Sequence, residues 1–136
     1  MNSEKSKILI ADGDTYIHSL LDAVFPAREF EIISAKSGSE AAALLKVKTP
    51  DAIILDARLP ILDGIDLCGR VKHIKRFFNT VVVVLTPAEE PMLADAARIA
   101  RADAVVAKPL NAQAFKTMVV DLMHRRLLSA PVEELV

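Results

Sequence analysis

Asp12, Asp56, Thr86 and Lys108 carry the side chains in this sequence most able to act together on a phosphoryl group. Asp12 opens the run Asp12–Gly13–Asp14, and Lys108 is followed by Pro109. Carboxylates gathered at one point can hold Mg²⁺, which prefers oxygen ligands. A metal and a lysine can neutralise the charge that develops on a transferring phosphoryl group, and a carboxylate can serve as the nucleophile. That chemistry requires residues far apart in the chain to meet, so the elements that carry them decide the question.

Four short apolar runs stand out, Ile8 to Ala11, Ala52 to Leu55, Val81 to Leu85 and Ala104 to Ala107, with a weaker one from Glu31 to Ala35. Continuous apolar runs suit strands covered by helices on both faces, and the valines at 81–84 favour a strand. A stretch of helical period follows each run. Ile17, Leu20, Leu21 and Val24 fall on one face of a first helix closed by Pro26. Ser37 and Glu40 form a capping box before a second. Asp63–Gly64 precedes a third that passes through Ile65, Cys68 and Val71 to about Lys75. Glu89–Glu90–Pro91 places acids and a proline in the first turn of a fourth. Phe115, Met118, Val119 and Leu122 form the inner stripe of a fifth.

No hairpin turn interrupts the alternation, so the chain predicts a doubly wound α/β fold, (βα) five times around a parallel sheet. In such a sheet function collects beyond the carboxyl ends of the strands. Asp12, Gly13 and Asp14 follow the first run, Asp56 the third, Thr86 the fourth and Lys108–Pro109 the fifth. All of them are thus expected at one rim.

Composition agrees with one domain. The 136 residues are 52% hydrophobic with five Phe, one Tyr and no Trp, so the core is aliphatic. A chain of this size buries roughly two-thirds of its unfolded surface without needing staples. Seventeen basic against eighteen acidic residues give a formal net charge of −1, no electrostatic reason to expect nucleic acid or an anionic membrane as partner. The lone Cys68 excludes an internal disulfide and reads as a buried structural thiol. His18, His73 and His124 are scattered, with no metal-ligand spacing. No apolar run approaches the roughly 18 residues needed to span a bilayer, and MNSEKSK lacks signal-peptide character, so a cytoplasmic protein is expected. Residues 1–6 are expected to form a flexible N-terminus and 7–128 the domain, with 129–136 a tail or the start of a linker.

The segment from Asp51 through Asp56 and Pro60 to Asp63–Gly64 resembles the phosphoacceptor segment of response regulator receiver domains, the CheY-like superfamily. Val81 to Thr86 resembles the strand carrying that family's switch hydroxyl, and Ala107–Lys108–Pro109 its lysine–proline element. The match runs from about Lys7 to Arg126. It implies a flavodoxin-like strand order 2-1-3-4-5 and a role in two-component phosphorelay signalling. Asp56 would accept a phosphoryl group from a histidine kinase or phosphotransfer protein. Asp12, Asp56 and the backbone carbonyl of Arg58 would hold Mg²⁺, while Thr86 and Lys108 would contact the phosphoryl oxygens. The Lys108–Pro109 bond would be cis. A downstream protein or fused output domain would receive the signal, and a homodimer is compatible with this picture.

Three positions depart from the family pattern. Gly13 stands where a second metal-binding acid is usual. Asp14, one residue on, could reach the ion but is better placed as a helix N-cap. Pro87 follows Thr86 where the family sets a backbone N–H against the phosphoryl group, and proline has none. Val105 replaces the aromatic switch residue. Arg58 could swing toward Asp56 or Asp12 and supply part of the missing charge, although a solvated loop arginine is the plainer reading. Three functions follow: a phosphorylatable receiver with weakened Mg²⁺-dependent chemistry, a degenerate receiver that binds partners without phosphorylation, and a haloacid-dehalogenase-like hydrolase. The last draws on Asp12–Gly–Asp14–Thr15 but lacks a final acidic pair at a strand end and a cap domain.

Overall fold

The computed structural model describes residues 5–128. Strands β1 (Ser6–Ala11), β2 (Phe30–Ala35), β3 (Ala52–Asp56), β4 (Val81–Pro87) and β5 (Ala104–Lys108) form one parallel sheet in the order β2-β1-β3-β4-β5. They alternate with α1 (Thr15–Val24), α2 (Gly38–Leu45), α3 (Gly64–Lys72), α4 (Pro91–Ile99) and α5 (Ala112–Leu128). This is the expected flavodoxin-like arrangement. Ser6 belongs to β1, and residues 1–4 and 129–136, where a flexible N-terminus and a tail are expected, lie outside the described residues.

The strand pleat divides the core. Leu9, Ile53, Leu55, Val82 and Val84 face α2, α3 and α4, where Leu45, Leu67, Val71 and Ala97 meet them. Ile8, Ile10, Ile54, Val83 and Leu85 face α1 and α5, against Ile17, Leu21, Phe115 and Val119. Neighbouring residues of one strand thus enter opposite layers, which is why the runs are apolar throughout instead of alternating.

The helix ends differ from expectation at two places. The third helix stops at Lys72, capped at His73, and a separate short 3₁₀ turn covers Lys75–Phe77. The seam falls at Ile74, whose extended backbone breaks the helical run. In the fourth helix Pro91 takes the first position, so Glu90 is the N-cap and Glu89 precedes it. Proline's missing N–H makes it a natural first residue, which moves both acids outside the first turn. The second helix starts at Ser37 as read, its Oγ accepting the Glu40 N–H at 3.1 Å. The Glu40 carboxylate reaches back to the N–H of Lys36 at 2.7 Å, one residue before the cap.

Candidate functional site

Three of the four rim residues sit within the ends of strands, and Asp12 directly follows β1. β3 includes Asp56, β4 includes Thr86 and Pro87, and β5 includes Lys108. Sheet register pairs Asp56 with Leu85 and Pro87 with Lys108, so the ladder itself aligns them. The apolar runs read as β3, β4 and β5 end at Leu55, Leu85 and Ala107, but pairing continues one or two residues beyond.

Lys108 joins the carboxylates. Its Nζ lies 2.9 Å from Asp12 Oδ2 and 3.3 Å from Asp56 Oδ2. The contact with Asp56 is a hydrogen bond, whereas Asp12 Oδ2 is held by charge without hydrogen-bond alignment. Asp12 is buried, and burial, helped by repulsion from Asp56, holds its carboxyl above the ordinary value despite the opposing pull of Lys108. Burial works against the Lys108 ammonium too, but Asp12 and Asp56 outweigh it and raise its pKa.

The first loop is fixed by its own backbone. Asp12 Oδ1 accepts the Asp14 N–H at 2.8 Å, and Asp14 Oδ1 accepts the Tyr16 N–H at 2.9 Å as N-cap of α1. Asp14 therefore takes the capping role weighed above. His18, which the sequence offered only as one of three scattered histidines, is buried with Nε2 2.7 Å from the Asp12 carbonyl. A carbonyl only accepts, so Nε2 carries the proton and steadies the residue bearing the buried acid. Its spacing from Asp12 gave no motif that could have flagged it.

Arg58 does not do what the sequence reading allowed. Its backbone N–H donates to Asp56 Oδ1 at 3.1 Å, but its guanidinium pairs with Glu90 across the rim and reaches neither Asp56 nor Asp12. Glu90 is already the nearer anion, standing just before α4. Thr86 is buried, and Val105 is half-buried and packed into the α2–α4 layer. The Lys108–Pro109 peptide is cis. An open cavity of about 490 Å³ lies beside these groups, lined by Asp14, Asp56, Arg58, Pro87, Glu89 and Lys108 among others.

Among the described residues no set of three or more His, Cys, Asp or Glu is arranged around a metal position. Asp12 and Asp56 nevertheless make a carboxylate pair, and Asp12 keeps an oxygen lacking a hydrogen bond. A pair of carboxylates fits Mg²⁺, which binds through one or two and retains several waters. The Gly13 position is open: an added Cβ would meet nothing nearer than the Lys36 carbonyl oxygen at 3.7 Å.

The site sits on a parallel doubly wound sheet with an acid–lysine rim, and comparison with known proteins supplies the class. Residues 8–120 match the response regulator receiver domain family, and the chain belongs to it. It is 30% identical over 129 residues to the alkaline phosphatase synthesis transcriptional regulatory protein PhoP of Bacillus subtilis, covering 95% of this chain and 53% of that protein. The chain spans about half the length of several curated relatives it matches. A CheY-like receiver domain protein of Methanospirillum hungatei superposes with a TM-score of 0.84 at 19% identity, covering 93% of this chain and all of that one. The chemotaxis response regulator CheY4 of Vibrio cholerae gives 0.79 at 21%, covering 88% and 99%. At those identities the two structures speak for the fold. This stretch of chain is thus a receiver domain of two-component signalling, a phosphoacceptor module, in a family whose partners are histidine kinases and whose chemistry is typically Mg²⁺-dependent. The hydrolase reading falls away.

Proposed function

We propose that this domain accepts a phosphoryl group on Asp56 from a histidine kinase or phosphotransfer protein, with weakened Mg²⁺-dependent chemistry, and passes the signal to a downstream protein or fused output domain. The observation that carries this is Lys108 Nζ, 3.3 Å from Asp56 and 2.9 Å from Asp12. An Asp56 carboxylate oxygen forms the new bond to phosphorus while the bond from phosphorus to the donor breaks, its electron pair leaving with the donor. Lys108 is placed to follow the growing negative charge onto the phosphoryl oxygens. Asp12, Asp56 and the Arg58 carbonyl would hold Mg²⁺, which when bound would offset phosphoryl charge. Thr86 would donate its hydroxyl.

Two residues weaken the site. Gly13 leaves the first strand one acid short. Pro87 removes an N–H from the rim, and a hydrogen bond to a charged group is worth roughly 1.5–3 kcal/mol. Its loss corresponds to about one to two orders of magnitude in rate or phosphorylated-state stability. The same two residues support the second reading, a receiver that binds partners without phosphorylation. The two readings separate by treating the protein with acetyl phosphate and Mg²⁺ and following its intact mass, with Asp56→Asn as control. Labelling that is lost in the control supports phosphoacceptance, and it should rise in Pro87→Ala. An unlabelled protein under conditions that label Pro87→Ala favours the second reading.

A further inference from the structure

We propose that Arg58 is a phosphoryl-binding residue held in reserve by Glu90, which surrenders the guanidinium once Asp56 carries its phosphoryl group. This rests on the reading of Asp56 as phosphoacceptor and names the donor that completes that site. The Arg58 backbone N–H donates to Asp56 Oδ1 at 3.1 Å, so the root of this long side chain is tied to the carboxylate itself. Its guanidinium is paired with Glu90 on the opposite lip, and Arg58 lines the same cavity as Asp56, Pro87 and Lys108.

The pair is made to be exchanged. Its side chains are 59% and 35% exposed. Solvated ion pairs shift an equilibrium by no more than about fivefold. A phosphoryl group brings on the order of two negative charges and three acceptor oxygens where Glu90 has one charge. An arginine fork binds such oxygens through two parallel charge-assisted bonds. Demand for a donor is also unmet on that side of the rim, because Pro87 has no N–H and Lys108 is shared between two acids. Glu90 has its own alternative, since as N-cap of α4 it makes no capping bond with its side chain. Released, its carboxylate would stand at the N-terminus of that helix, where negative charge is favoured. Occupancy of Asp56 would thereby reach α4 without an aromatic ring at position 105.

The test follows label decay on Asp56. Wild type, Arg58→Met, Arg58→Lys, Glu90→Gln, Pro87→Ala and the Arg58→Met/Glu90→Gln double variant are labelled with acetyl phosphate and Mg²⁺. The reagent is then removed and intact mass read over time. The expected result is a half-life about tenfold shorter in Arg58→Met, intermediate in Arg58→Lys, and up to about fivefold longer in Glu90→Gln, where competition is gone. In the double variant the Glu90 effect disappears. A pair that merely braces the loops would move Arg58→Met and Glu90→Gln in the same direction, and that outcome overturns the proposal. Label that decays alike in all variants overturns it as well, while leaving Asp56 as phosphoacceptor. Label absent from wild type and from Pro87→Ala removes both the phosphoacceptor reading and this one.

Discussion

Lys108 stands between two carboxylates that would otherwise repel each other, one of them buried. Its charge therefore does two jobs, holding the rim together at rest and facing the phosphoryl group during transfer. The resting part can be measured through pH. Burial raises the Asp12 pKa, so ionising this acid costs the fold stability as pH rises through that raised value. Lys108 opposes the cost by lowering the Asp12 pKa, and its own raised pKa means its contribution is fully present at neutral pH. Lys108→Met should therefore destabilise the protein by about 2 kcal/mol at pH 7, less than for a fully buried pair because Lys108 is partly exposed. The deficit should shrink as pH falls through the raised Asp12 value, because protonating that acid removes the charge Lys108 offsets. Urea unfolding at pH 7 and pH 4 checks this, and an equal deficit at both would show that charge is not the cause.

The elements reach that rim by contacts with very uneven traces in the sequence. Helix faces and strands were legible because they repeat locally: Ile17 and Leu21 sit on the inner face of α1, and Phe115 and Val119 on that of α5. The caps at Asp14 and Ser37 were legible because a cap and its N–H lie two or three residues apart, and Asp63, read only as preceding its helix, caps it in the same way. Of the site, the acids, hydroxyl and lysine could be read because they follow apolar runs, but the His18 bond to Asp12 and the Arg58–Glu90 pair could not. His18 meets Asp12 only once the turn after β1 and the start of α1 have formed, and Arg58 meets Glu90 only when the loops after β3 and β4 converge. Asp103 is the plainest case at the opposite end of the sheet. Its Oδ2 accepts from the Val82 N–H at 2.7 Å and from Lys72 Nζ at 2.8 Å, and Oδ1 takes Arg126. One largely buried carboxylate thus ties α3, β4 and α5 together across separations of 31, 21 and 23 residues. Asp103→Ala removes the carboxylate shared by Lys72, Arg126 and the Val82 N–H and should cost about 3–5 kcal/mol. Asp103→Asn, which keeps an acceptor oxygen, should cost less than half of that. Equal losses in the two variants, measured by denaturant unfolding, would show that packing outweighs the hub's hydrogen bonds.

At the scale of the molecule, the parallel sheet places every strand's carboxyl end on one side, so residues 12, 56, 86 and 108 share a rim by topology alone. Anything bound there is linked to the stability of the whole domain, which makes Mg²⁺ affinity readable from unfolding. A ligand bound only by the folded state stabilises it by RT ln(1 + [L]/Kd). With only Asp12 contributed by the first strand, the gain on adding Mg²⁺ should be small. Gly13→Asp restores a second acid at an exposed position with room for a side chain. A tenfold tighter site adds about 1.4 kcal/mol at saturating metal, or roughly 3–6 °C in the midpoint for a domain of this length. Without metal the new acid should lower the midpoint, since it adds negative charge beside Asp12 and Asp56. The quantity to compare is therefore the rise in midpoint on adding Mg²⁺ to each protein, with Ca²⁺ as a second oxygen-seeking ion and NaCl at matched ionic strength as a screening control. The Gly13→Asp increment should exceed the wild-type one by several degrees with Mg²⁺ and vanish in NaCl. Equal Mg²⁺ increments would mean that Asp12, Asp56 and the backbone already hold the ion as well as a site with two acids on the first strand. In that case Gly13 does not weaken the site, and the weakened-metal reading fails.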